Sequence, residues 1–269
     1  MNNKSIGVFD SGLGGLTAVK QIMKELPNEN IIYFGDTGRV PYGTRSRDTI
    51  LKYTRGDIRF LKTFDVKVIV IACGTASSAA LPMIKNEFDV PIVGVIDAAV
   101  YAAVRATKNK KIGVIGTSGT IKSGEYEKQI KAYDSSMEVY SKACPMFVPL
   151  VENGYFDSPV TKLIVEEYLE EIRSEGVDTL ILGCTHYPLL SKVIGEYMGD
   201  KVTLINSGAE VAKYLKKKFD REMMHSDITD EEQYRYYVSD DISSFEQLGG
   251  IFLEREINGQ VSKIDIEQY

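Results

Sequence analysis

Tryptophan is absent from this 269-residue chain, histidine occurs only twice and cysteine three times. Cys73, Cys144 and Cys184 form an odd, widely spaced set with no CxxC pair, which excludes a disulfide framework and a zinc knuckle. Any cysteine with a role therefore acts as a thiol, and no metal is expected. Long hydrophobic runs are also missing. The longest, Val66 to Cys73, is interrupted by Lys67 and falls far short of the roughly 20 residues that span a bilayer, so no membrane partner is expected. The opening MNNKSIGVFDSG enters a strand-like run without the apolar stretch and small-residue cleavage site of a secretory signal, which predicts a cytoplasmic chain. Positive charge is not in excess. With 32 Lys and Arg against 38 Asp and Glu, the net charge is -6 and offers no footprint for nucleic acid. GLGG at 12–15 matches neither GxGxxG nor GxxxxGK[ST], so nucleotide binding is not indicated, and no motif marks a Schiff-base lysine.

What the chain does have is the composition of a globular protein, 43% hydrophobic and 26% charged. Short β-branched runs recur at 6–12, 30–36, 66–74, 91–97, 111–117, 178–184 and 201–207, with helical patterns between them. That rhythm predicts an α/β fold with mainly parallel sheets. Leu16, Val19, Met23 and Leu26 repeat at helical spacing, as do Val160, Ile164 and Tyr168, and Val211, Leu215 and Phe219; each stripe reads as a core face. Residues 220–233 read as an exposed loop, YRYYVSD as a strand and SSFEQLGGIFL as a short helix.

An internal repeat organises these elements. Ser5–Gly12 resembles Lys111–Ser118, and the segment around Cys73 resembles that around Cys184, at nearly the same offset. A duplicated α/β module follows, with residues 1–97 plus 208–269 as one doubly wound lobe, 98–207 as the other, and a cleft between them. Residues 220–269 are expected to complete the first lobe.

Each of the two matching cysteines ends a buried strand and precedes a helix start, Cys73-Gly74-Thr75 and Cys184-Thr185-His186. Ligands of open α/β sheets collect outside the carboxyl ends of the strands. A helix start also favours thiolate over thiol, which predicts lowered pKa values for both cysteines. A lone cysteine there is ordinarily a small buried hydrophobe, and Cys144 keeps that reading. Two thiols at equivalent places in twin modules instead make an acid–base pair, one removing a carbon-bound proton and the other returning one to the opposite face. Asp10, at the end of the first strand, is a candidate partner for the first thiol, or a turn residue; His186 is a candidate proton partner for the second, or a structural histidine. Ser11, Thr75, Thr117, Ser118 and Thr185 are hydroxyls suited to gripping carboxylates or to capping helices. The turn Val40-Pro41-Tyr42-Gly43 is expected to present backbone donors and a phenol to the cleft.

Five ordered motifs carry a family likeness: FDSGLGGLT at 9–17, FGDTGRVPYG at 34–43, ACGTAS at 72–77, VPLVENG at 148–154 and LGCTHYPLL at 182–190. From Ile6 to about Phe219 the chain resembles the glutamate racemases. The resemblance implies a cofactor-independent, two-base interconversion of L- and D-glutamate that supplies peptidoglycan synthesis in the bacterial cytoplasm, often by a homodimer. It implies catalytic cysteines at Cys73 and Cys184 and helper roles for Asp10, Glu152 and His186. Substrate contacts would fall on Asp10, Ser11, Tyr42, Gly43, Gly74, Thr75, Thr185 and His186. One departure stands out, because the family commonly has Asn after the first cysteine and this chain has Gly74. A related racemase acting on aspartate, and a two-lobed binding protein without chemistry, are the rival readings.

Overall fold

The computed structural model describes residues 3–226 and 233–269. Among the described residues ten strands form two all-parallel sheets: β1 (Ser5–Asp10), β2 (Ile31–Gly35), β3 (Val66–Ile71), β4 (Ile92–Gly94), β5 (Lys111–Gly116), β6 (Glu138–Ala143), β7 (Thr179–Leu182), β8 (Thr203–Asn206), β9 (Tyr234–Val238) and β10 (Val261–Lys263). Parallel pairing forces crossover helices onto the sheet faces and buries the central strands, so β1, β3 and β7 read as near-continuous apolar runs. No helix among the described residues is long and apolar enough to cross a membrane.

The strand order exposes the duplication. One sheet runs β10-β9-β2-β1-β3-β4 and the other β6-β5-β7-β8. The order β2-β1-β3-β4 in the first is repeated as β6-β5-β7-β8 in the second, pairing β1 with β5 and β3 with β7 as the sequence repeat does. Residues after Gln233 add two strands to the β2 edge, with Phe34 of β2 opposite Tyr237 of β9. The helix Val95–Ala106 leaves the first sheet and packs against the helix Ser207–Glu222 that returns toward it.

Three local expectations are corrected. On the helix Pro159–Ser174 the buried stripe is Thr161, Val165, Leu169 and Ile172; Val160 is exposed, and Ile164 and Tyr168 are only half-buried at its edge. The helix Ser207–Glu222 runs into the segment expected as a loop from residue 220, and the part of that segment at 227–232 lies outside the described residues. Strands β6 and β10 were not anticipated: β6 is a sheet edge bearing Glu138, Ser141 and Lys142 with no fully buried residue, and β10 is three residues long.

Lys67, the charge inside the β3 run, has a partner that explains it. Its Nζ lies 2.5 Å from Glu29 Oε2, with both side chains 1% exposed. It donates to the Met224 carbonyl at 2.7 Å and to Ser226 Oγ at 3.1 Å, so the pair ties the chain beyond the returning helix to the base of the first sheet. Removing one partner of a buried pair strands the other charge. Lys67→Met is expected to cost about 3–5 kcal/mol in urea unfolding, with most of it recovered when Glu29→Leu is added; a loss under about 1 kcal/mol would show that the pair carries no such weight.

Candidate active site

Cys73 follows β3 and caps the helix Gly74–Ala79, its Sγ accepting from the Ala76 N–H at 3.4 Å and lying 3.8 Å from Ser11 Oγ. Cys184 follows β7 in the second lobe, 4.0 Å from His186 Nδ1. Both thiols are buried, Cys73 at 4% and Cys184 at 8% exposure. The two cysteine turns meet at their neighbours, because Gly74 packs directly on the Gly183 carbonyl.

Asp10 ends β1 and is 1% exposed. Its Oδ2 accepts from the Gly15 N–H at 3.0 Å and from the Gly12 N–H at 3.3 Å, while Oδ1 has no partner among the described residues. Burial raises its pKa against the pull of the His186 charge and of those N–H groups. His186 links two predicted residues, its Nε2 lying 2.9 Å from Glu152 Oε1. Burial alone would lower the imidazole pKa, but the bonds to Cys184 and Glu152 and their charges outweigh it and push it up to about 10. The ring is therefore an imidazolium at neutral pH, aimed at Cys184 from one nitrogen and held by Glu152 from the other.

The Asp/Glu/hydantoin racemase family model matches residues 11–215. This chain belongs to that family. The glutamate racemase of Geobacter metallireducens is 44% identical over 264 residues, 98% of this chain and 97% of the relative. Among solved structures, glutamate racemase isoform RacE1 of Bacillus anthracis superposes with a TM-score of 0.93 at 38% identity over 98% of both chains. The glutamate racemase of Francisella tularensis, solved in complex with D-glutamate, gives 0.92 at 37% identity over the whole of both chains. This racemase is accordingly an amino-acid isomerase with the two-lobed α/β fold of its relatives.

Two expectations about this racemase's site do not hold. Cys73 is not lowered by its helix start: burial, then the nearby Asp10 charge, push the thiol up to about 12, although the Ala76 N–H and Ser11 pull the other way. The Tyr42 phenol is not presented to the cleft; its oxygen lies 2.5 Å from Asp36 Oδ2 and 3.0 Å from Asp57 Oδ2 inside the first lobe. Gly43 beside it does reach the other lobe, against Thr117. The hydroxyls predicted to hold substrate bond one another across the lobes, Thr75 Oγ1 lying 2.9 Å from Thr117 Oγ1 and 3.3 Å from Thr120 Oγ1. Ser118 is exposed, and Thr185 Oγ1 lies 3.4 Å from His186 Nδ1.

Thr17 and Thr120 were missed. Thr17 Oγ1 donates to the Thr185 carbonyl at 2.8 Å, a bond between lobes, and Thr120 completes the hydroxyl cluster. Thr17 lies inside the FDSGLGGLT motif, a signal that was available; Thr120 had none beyond its place three residues after Thr117.

The His186 charge has a pH signature. A folded-state pKa above the unfolded value contributes stability that is full below about 6.5 and is lost as pH rises through about 10. Nitrogen NMR of the ring is expected to report imidazolium across pH 7–9, and Glu152→Gln to move the titration down toward the ordinary histidine value. A neutral His186 at pH 8 in the unaltered chain would contradict this arrangement.

Proposed function

We propose that this racemase interconverts L- and D-glutamate by cofactor-independent two-base proton transfer between Cys184 and Cys73, as a homodimer in the bacterial cytoplasm that supplies D-glutamate for peptidoglycan. The observation that carries the reading is the meeting of two pseudo-equivalent cysteine turns, one from each lobe, with unlike proton partners. We take 1–97 with 208–269 and 98–207 as the lobes that enclose the substrate.

The chemistry follows from where protons reside. Cys73, with its pKa near 12, is a thiol at neutral pH and serves as the acid. Cys184, facing the His186 imidazolium, serves as the base for the enantiomer whose α-hydrogen points at it. It removes that proton, and the electron pair of the C–H bond remains on the α-carbon, delocalised into the carboxylate. Cys73 then delivers its proton to the opposite face, which inverts the centre and leaves the thiolate on Cys73. The other enantiomer runs the same steps backwards and restores the starting proton distribution.

The α-hydrogen of an amino acid is a very weak acid, so the site must favour the carbanion strongly. Exclusion of water around buried thiols and fixed dipoles serves that end. Asp10 Oδ1, which has no partner among the described residues, is suited to accept from the substrate ammonium group, and Ser11, Thr75 and Thr185 to donate to its carboxylates. Glu152 holds His186 charged, and a charged donor next to Cys184 stabilises the thiolate whenever it forms.

Single enantiomers of glutamate and aspartate in D2O test the proposal. Inverted glutamate is expected to carry α-deuterium, and Cys73→Ser or Cys184→Ser to lower racemization by at least ~10²-fold, the ordinary worth of a positioned acid or base. Activity confined to aspartate, or racemization retained in either serine variant, would refute it.

A further inference from the structure

Beneath the turn that meets the second lobe lie two carboxyl groups that the mechanism does not use. Asp36 follows β2 and Asp57 sits in the helix Arg47–Leu61, and both side chains are wholly buried. The Tyr42 phenol stands between them, its Oη 2.5 Å from Asp36 Oδ2 and 3.0 Å from Asp57 Oδ2. Each of these oxygen–oxygen contacts needs a proton to be attractive, and a phenol brings only one. With both carboxyls ionised, one contact would set lone pair against lone pair away from bulk solvent, which is costly. The second proton therefore belongs to a carboxyl.

Asp36 is already supplied with donors. Its Oδ2 accepts from Arg39 Nε at 2.7 Å as well as from Tyr42, and its Oδ1 accepts at 2.9 Å from Ser239 Oγ, which itself accepts from the Gly38 N–H at 2.8 Å. Among the described residues Asp57 has one donor beside the phenol, Arg39 Nη2, which reaches Oδ1 at 2.8 Å and leaves Oδ2 to carry the proton. One cation is then matched by one anion. Asp10 at the end of β1 and Glu267, 3.4 Å from Arg39 Nη1, are acidic and oppose a second anion here. Burial and then the Asp36 charge hold Asp57 well above the usual carboxylate range, against the pull of Arg39.

What the proton holds is the turn. Gly43 follows Tyr42 and packs so tightly on the second lobe that a Cβ added to it would lie 2.9 Å from Thr117 Cβ, and one added to Gly119 would lie 2.9 Å from the Gly43 carbonyl oxygen. Thr117 in turn meets Thr75, one of the hydroxyls assigned to the substrate carboxylates. Resting on the two-thiol reading above, and on the substrate contacts that the resemblance gives to Tyr42 and Gly43, we propose that Asp57 is a positioning residue for racemization: it carries a proton on Oδ2 and donates it to Tyr42 Oη, so that two hydrogen bonds in series, Asp57 to Tyr42 to Asp36, fix the Tyr42–Gly43 turn against the second lobe. Asp57 is too deep to touch the substrate and acts through Tyr42. Ser239 extends the series to the chain after β9, which gives the C-terminal strands a part in supporting the cleft.

Asp57→Asn separates a carboxylic acid from a carboxylate, because an amide keeps the acceptor for Arg39 and the donor for Tyr42. This variant is expected to melt close to the parent and to keep its kcat and KM for glutamate, while the infrared band of a protonated carboxyl, present in the parent at pH 7, is lost. A parent without that band, or an Asp57→Asn chain melting on the order of 10 °C lower, as when a buried charge is stranded, would overturn the protonation. Tyr42→Phe removes only the hydroxyl and Asp57→Leu only the polar partner. Each is expected to raise KM roughly 2- to 10-fold, the worth of one hydrogen bond, with a smaller change in kcat, and the double variant to do no more than either alone. Lower melting with an unaltered KM would reduce the cluster to a structural role and overturn the positioning, and Tyr42→Phe decides this even where Asp57→Leu does not fold. A parent inactive on glutamate would instead refute the two-thiol reading, with the infrared band still deciding where the proton lies.

Discussion

Burying charge is the constraint under which this site is arranged. An imidazole, a carboxylate and two thiols lie where the strand ends of two sheets converge, each at most 8% exposed. Groups so deeply buried draw little stabilisation from bulk solvent when they ionise, so neighbours decide. His186 keeps its proton because Cys184 and Glu152 flank it, and Cys73 keeps its own because burial and Asp10 oppose the thiolate. Two cysteines that the duplicated fold makes equivalent in position are thereby made unequal in their proton partners, as the proposed reaction with one acid and one base requires.

The duplication supplies the geometry. Because β3 and β7 occupy the same place in the order of their sheets, each delivers its cysteine to the same edge, followed by a turn that begins a helix or a helical turn. The lobes then join through small groups: glycines against backbone, threonine hydroxyls against one another, and one threonine donating to a carbonyl across the junction. Small contacts allow close approach, and hydroxyls that bond one another can exchange that partner for a carboxylate at little cost. Beyond this junction the first lobe is anchored by buried polar clusters of its own. The Asp36, Asp57, Tyr42 and Arg39 group holds the turn before Gly43, and the Glu29–Lys67 pair holds the segment after the returning helix.

Much of this was legible in the chain. Buried parallel strands announce themselves as β-branched runs, and a repeat at nearly constant offset located both cysteine turns and implied that they are equivalent. Strands without that signal were lost: β6, at a sheet edge, has charged and hydroxyl residues facing water, and β10 is too short for any pattern. On the helix Pro159–Ser174 the apolar residues flank the true core stripe, so periodicity pointed one residue away from Val165 and Leu169. The site's electrostatics were the least legible part. A helix start beside a cysteine is visible in sequence, whereas the depth of burial that reverses its effect on Cys73 depends on contacts remote along the chain. The inward turn of the Tyr42 phenol likewise depends on Asp57, fifteen residues away.

The protonation of Cys73 tests the account most directly. Carbon-13 labelling of the cysteine Cβ, in a chain carrying Cys144→Ala and Cys184→Ser so that one thiol remains, reports its ionisation as pH is raised. A thiol signal that persists well above the ordinary cysteine value of 9.0 is the expected result. A thiolate at Cys73 at neutral pH would contradict the assignment of acid and base on which the mechanism stands.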